Sequence, residues 1–151
     1  MIAAKEIMKV IALLFSVCLL GQDDASWPSL NYLRNDYKAV SVVAHVHIQQ
    51  AEITGRVGGY ENWKVTATVL ESLKGRVKKG DVIEYYHGAE AGLKRQYFDE
   101  EKIVFLLAEY DRDQKVHYSV LENSTLPVTP DRLSKLRLIK KQSKKPQSRS
   151  K

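Results

Sequence analysis

The chain has 151 residues, 44% of them hydrophobic and 28% charged, with four Pro and a single Cys. This length sets a prior of one domain with tails, the apolar content excludes disorder throughout, and one Cys excludes both a disulfide scaffold and a multi-cysteine zinc site. The formal net charge of +6 asks for a polyanionic partner.

Residues 1–9 carry Lys5 and Lys9, and residues 10–20 (VIALLFSVCLL) follow without a charge. Eleven uncharged residues, none more polar than Ser16, are too few for a bilayer, which needs about 20, and Gly21, Gln22, Asp23 and Asp24 end the run abruptly. Residues 1–21 therefore read as a signal peptide, with a mature chain beginning near Gln22, export to the periplasm, cell surface or medium, and no transmembrane span after cleavage. Cys18 leaves with that segment. The alternative, a lipoprotein acylated at Cys18, is weaker because Phe15, Ser16 and Val17 lack the usual Leu, small, Gly/Ala run.

Residues 22–139 read as the folded domain. Leu30, Leu33 and Tyr37 fall at i, i+3 and i+7 in residues 29–38, which predicts a helix. The period then drops to two: Val40, Val42, Ala44, Val46 and Ile48 alternate with Ser41, Val43, His45, His47 and Gln49, a half-buried strand. Gly55, Gly58 and Gly59 form a loop, and Trp63, Val65, Ala67 and Val69 alternate in a second strand closing at Leu73. A turn at Lys79, Gly80 and Asp81 leads to a third strand, residues 82–87; residues 88–101 have no period and read as a long loop. Residues 102–110 (KIVFLLAEY) are apolar on both faces from Ile103 to Ala108, which predicts the most buried strand. A turn at residues 111–114 returns the chain as a fifth strand, residues 116–121. Thr129 and Pro130 mark a helix start as N-cap and first helical position, with Leu133, Leu136 and Ile139 on its apolar side. Residues 140–151 (KKQSKKPQSRSK) hold no apolar anchor and read as a disordered basic tail. Five strands between two helices predict a mainly β domain, a small five-stranded antiparallel barrel of OB-like type.

Four motifs in order carry a family resemblance: a Tyr-led first strand (YKAVSVVAHVHI), a second strand closing on Leu-Lys-Gly (WKVTATVLESLKG), KGDVI before the third, and EKIVFL in the fourth. Over residues 37–107 this resembles the netrin-module and tissue-inhibitor-of-metalloproteinase-like superfamily, especially its cysteine-poor exported bacterial members. The resemblance implies an OB-type barrel and export. It does not bring inhibition of zinc proteases, because that chemistry uses an amino-terminal Cys-x-Cys start, and Cys18 is followed by Leu19 and Leu20.

Candidate chemistry is sparse. His45 and His47 share one side of the first strand, and with His87 or His117 they would make a metal site; a polar exposed strand face is the stronger explanation of them. Asp111, Asp113 and Glu122 stand at calcium-loop positions 1, 3 and 12, but Lys115 and Val116 spoil positions 5 and 6, leaving a hairpin turn. GRVGG at residues 55–59 lacks the ending of a phosphate loop, and no nucleophile motif or framed carboxylate pair is present, so neither an enzyme nor a cofactor is implied. Trp63, Tyr85, Tyr86 and Tyr97 with Lys64, Lys94 and Arg95 resemble a strand-stacking face, yet alternation puts several inside, and export disfavours nucleic acid as partner.

The net charge divides unevenly. Residues 130–151 hold nine Lys or Arg and one Asp, residues 1–21 net +1, and residues 22–129 net −3. A mildly acidic barrel with a basic strap makes Lys140, Lys141, Lys144, Lys145 and Arg149 the candidate contacts to an anionic envelope surface. The leading expectation is an exported, non-catalytic binding or envelope-associated module whose partner is an unidentified protein or such a surface, with the loops at residues 55–61 and 88–101 as contact segments. The second is a metal-binding or enzymatic protein centred on His45 and His47.

Overall fold

The computed structural model describes residues 27–145. The signal-peptide reading, Cys18, Arg149 and the end of the basic tail lie outside the described residues. The elements run α1 (Leu30–Ala39), β1 (Val42–Val57), β2 (Tyr60–Lys74), β3 (Val82–Glu90), a 3-10 turn (Arg95–Phe98), β4 (Lys102–Tyr110), β5 (Val116–Pro127) and α2 (Pro130–Ser143). The fold is mainly β: one closed barrel in the order β1-β2-β3-β5-β4, with the two helices outside.

The predicted all-antiparallel barrel needs a correction. β1 pairs antiparallel with β2 and β4, β2 with β3, and β4 with β5, but β3 and β5 run parallel through Tyr85–Tyr118 and Tyr86–Ser119. The cause is the connection after β3. A parallel pair needs a long crossover, and residues 91–101 supply it by carrying the chain past the barrel end so that β4 pairs with β1 instead of β3. β5, antiparallel to β4, then closes the barrel alongside β3.

Alternation assigns the two cores. Val42, Ala44, Val46 and Ile48 of β1, Trp63, Val65, Ala67 and Val69 of β2, Ile83 and Tyr85 of β3, and Val104 and Leu106 of β4 fill the barrel. On the other side of β1 and β4, Val43, Ile103 and Phe105 join Leu73, Leu126 and the helix residues Leu33, Tyr37, Leu136 and Ile139. β4 is therefore buried on both faces from Lys102 to Leu106, as its unbroken apolar run requires.

Several boundaries move. β1 continues to Val57 and β2 begins at Tyr60, so the glycine loop shrinks to a two-residue turn with Gly58 at φ 59°, where mirror-image hairpin turns place glycine. β3 runs on to Glu90 and β5 to Pro127, both held by ladder pairs that their polar sequence conceals. Residues 88–101, read as a loop without structure, contain the 3-10 turn and the fully buried Phe98.

The helix ends are chemically defined. Ser29 Oγ accepts from Tyr32 N–H, and Thr129 Oγ1 accepts from Arg132 N–H, each satisfying an orphan donor of its helix. Lys74 Nζ donates to Tyr37 O and Val40 O at 2.6 Å each, closing the carboxy end of α1. The expected disordered tail also needs correction: α2 passes Lys140 and Lys141 and ends at Ser143. Polar bonds replace the missing apolar anchor. Lys140 Nζ donates to Ser72 O at 2.6 Å, and Gln142 Oε1 accepts from Arg34 of α1 at 3.1 Å. The start of α2 bonds back to the start of α1 through Arg132 to Trp27 O, so the two helices lie side by side and run the same way. Neither, nor any helix among the described residues, is long and apolar enough to cross a membrane.

Candidate functional site at the barrel mouth

The segments around the β1–β2 turn and after β3, anticipated as contact loops, meet at a cavity of about 430 Å³. Tyr60 stands on one rim beside the hairpin turn. Residues 88–90 of β3 line a wall, Leu93 and Tyr97 of the crossover cover it, and Val120, Ser124 and Thr125 of β5 complete it. The volume lies within the roughly 300–1,000 Å³ usual for small-molecule sites.

His87 faces inward for a simple reason: it pairs across the ladder with Trp63, and both continue the interior series of their strands. Its ring meets Tyr97 and Phe98, each at 5.6 Å between centroids, and Phe98 packs on Trp63 at 4.9 Å. Burial and the nearby Lys102 ammonium hold the His87 pKa below the ordinary histidine range, so its ring is neutral at pH 7. Thr125 pairs with Val104, an interior residue, and thereby also turns inward. His87 Nδ1 and Thr125 Oγ1 are both buried and have no hydrogen-bond partner among the described residues; Trp63 Nε1 is the third such atom. Buried polar atoms in native proteins are nearly always satisfied, and two of these three belong to residues lining one cavity.

Lys102 is 3% exposed, an uncommon place for an ammonium. It sits 4.3 Å from the centre of the Tyr97 ring and 3.6 Å from Glu100, so a cation–π contact and an ion pair offset its desolvation. This lysine fixes Tyr97, and hence one side of the cavity.

The four histidines proposed as metal ligands are distributed rather than gathered. His45 Nε2 bonds Glu101 Oε2 at 2.7 Å, and His117 Nε2 bonds Asp111 Oδ2 at 2.8 Å. His47 is solvent-exposed opposite Thr68, and His87 lies inside the barrel. Among the described residues no group of three His, Cys, Asp or Glu side chains is placed to hold a metal ion. Asp111 is occupied by its own turn, its Oδ1 accepting from the backbone of Asp113 and Lys115. Trp63 and Tyr85, candidates for a stacking face, are 5% and 1% exposed inside the barrel.

The neutral His87 makes acid destabilising. The unfolded chain protonates this ring near pH 6.5, whereas the folded chain resists protonation, so the unfolded state binds more protons as pH falls and stability declines below that value. Urea unfolding at pH 7.5 and 5.5 is expected to show a smaller loss in His87→Phe than in the parent. An equal loss in both would assign the acid sensitivity elsewhere.

No family model matches the chain, and the search of curated proteins returns no match.

Proposed function

We propose that the chain is an exported, non-catalytic binding module of the cell envelope, built on an OB-type barrel, and that its ligand enters the mouth cavity. The order β1-β2-β3-β5-β4 with a parallel closing pair fits a five-stranded Greek-key barrel of that type. The observation that carries the binding assignment is the pair His87 Nδ1 and Thr125 Oγ1, buried at a cavity and without protein partners among the described residues. The neutral imidazole, the Thr hydroxyl and the flanking Tyr97 ring suit a compact, uncharged ligand with one ring face and a hydrogen-bonding edge. A multiply charged anion would gain nothing from a neutral His87.

The test is titration of the ¹⁵N-labelled protein with four probes, phenol, indole, imidazole and a methyl glycoside. At least one should shift the amides of residues 88–90, Leu93, Tyr97 and Thr125, and Val120→Trp, which fills the cavity, should abolish the response. Saturable shifts confined to other surfaces, or shifts that survive Val120→Trp, would contradict the assignment.

A further inference from the structure

A second cleft, of about 460 Å³, opens between the carboxy ends of α1 and α2 on the far side of the helix layer's core. Its floor is Tyr37 and Ile139, both buried, and its rim carries Arg34, Lys38 and Lys74. The parallel course of the helices brings their cationic ends together, and Lys141, Lys144 and Lys145 flank the cleft residues Gln142 and Ser143 in the chain. Among the described residues, none of these six cations meets a carboxylate. Arg34 bonds only amide oxygens, of Asn31 and Gln142, and Lys74 only backbone carbonyls and the Tyr37 ring. The carboxylates of the same layer are engaged elsewhere: Asp36 accepts from Ser124, Asp131 pairs with Lys135, and Glu71 takes both arms of Arg137. Lys74 uses two of its three ammonium protons on α1 and keeps one. Its pKa is lowered by burial, which marks an ammonium short of counter-charge. Leu138 is 44% exposed and shares a helix face with Lys141, Gln142 and Lys145, so an apolar side chain stands beside the cations.

We propose that this cleft receives the headgroup of an anionic phospholipid, with Arg34, Lys38 and Lys74 around the phosphate, Leu138 against the acyl boundary, and Lys141, Lys144 and Lys145 on neighbouring headgroups. The proposal rests on the envelope-associated reading and replaces a free basic tail with a built surface. Charge complementarity alone would admit any polyanion. The exposed Leu138 and the apolar floor favour a bilayer, where apolar contact and charge act together.

The experiment is co-sedimentation of the protein purified after export, its amino terminus checked by mass, with phosphatidylcholine vesicles with or without one third phosphatidylglycerol. Binding is expected only to the anionic vesicles and weakens with salt. Arg34→Gln with Lys38→Gln and Lys141→Gln should lower the partition coefficient roughly 100-fold, from about fivefold per basic residue near the surface. Lys94→Gln with Arg112→Gln and Lys115→Gln removes the same charge outside the helix layer and should cost less than about threefold. Should the first triple variant unfold, the exposed pair Lys38→Gln and Lys141→Gln should still cost roughly 25-fold. Absence of binding to anionic vesicles, an equal loss in both triple variants, loss of all binding on deleting residues 146–151 alone, or displacement from vesicles by a single-stranded oligonucleotide at equal phosphate would each overturn the proposal. Export is judged separately, from the amino-terminal mass and cell fractionation, so its failure is distinguishable.

Discussion

Phe98→Ala should destabilise the protein by about 3–5 kcal/mol, the range for removing a fully buried aromatic. Phe98 is 1% exposed and is the one residue of the crossover buried in the barrel core, with Leu93 and Tyr97 packed against that core from outside. Its ring stands against Trp63 at 4.9 Å, Tyr97 at 5.1 Å and His87 at 5.6 Å, so truncation removes a shared partner from three other rings. The surrounding strands are closed on each other and cannot collapse inward to fill the space, which places the cost toward the upper end. Urea unfolding measures it: the midpoint should fall at unchanged slope. A loss under about 1 kcal/mol would mean that the 3-10 turn is not part of the core.

Gly75→Ala should cost about 2–4 kcal/mol, combining a backbone conformation that L-residues rarely adopt with an overpacked site. Gly75 has φ 97°, and a Cβ there would lie 2.6 Å from Ser41 O and 3.0 Å from Val42 Cγ2. The obstacle is backbone, and that backbone is the start of β1, so it cannot turn aside as a flexible side chain would. The same few residues hold the end of α1 through Lys74, and the Tyr37 hydroxyl donates to Leu73 O at 2.9 Å. The strain therefore falls on the junction between barrel and helix layer. Thermal unfolding of Gly75→Ala beside Gly80→Ala checks this, because Gly80, also at positive φ, has nothing within 4 Å of where a Cβ would stand. Gly75→Ala should be the worse of the two; equal losses would leave the steric contact without effect.

The contrast between what was readable and what was not follows the range of the interactions. The interior of β1 was legible because Val42, Ala44, Val46 and Ile48 repeat with the strand period, and β4 because no polar residue interrupts Ile103 to Ala108. The caps Ser29 and Thr129 act within three residues of themselves and were equally plain. The parallel β3–β5 pair was not, since it depends on which strand β4 finds after a crossover whose sequence has no period. Phe98 escapes the sequence pattern for the same reason: a single 3-10 turn is too short to show periodicity, although two adjacent aromatics in a charged stretch are a usable signal.

The candidate site was half legible. His87 continues the inward series Ile83 and Tyr85, which the alternation of β3 already implied. Thr125 was hidden because the polar run Glu122 to Thr125 ended the fifth strand too early. In the helix layer the basic residues of α2 stood out by composition. Arg34, Lys38 and Lys74 did not, because only the parallel packing of α1 and α2 places them at the same end.

The central claim, that the barrel mouth is a ligand site, rests on His87 Nδ1 and Thr125 Oγ1, of which the imidazole nitrogen reports binding in a spectrum. ¹⁵N spectroscopy of the His87 ring during titration with the probe that shifts the cavity amides tests it most directly. A bound ligand that satisfies Nδ1 should move that resonance by several ppm and leave the His47 ring unchanged. If the amides respond while the His87 ring nitrogens stay where they were, the unpartnered atom is not what recognises the ligand, and the account is contradicted.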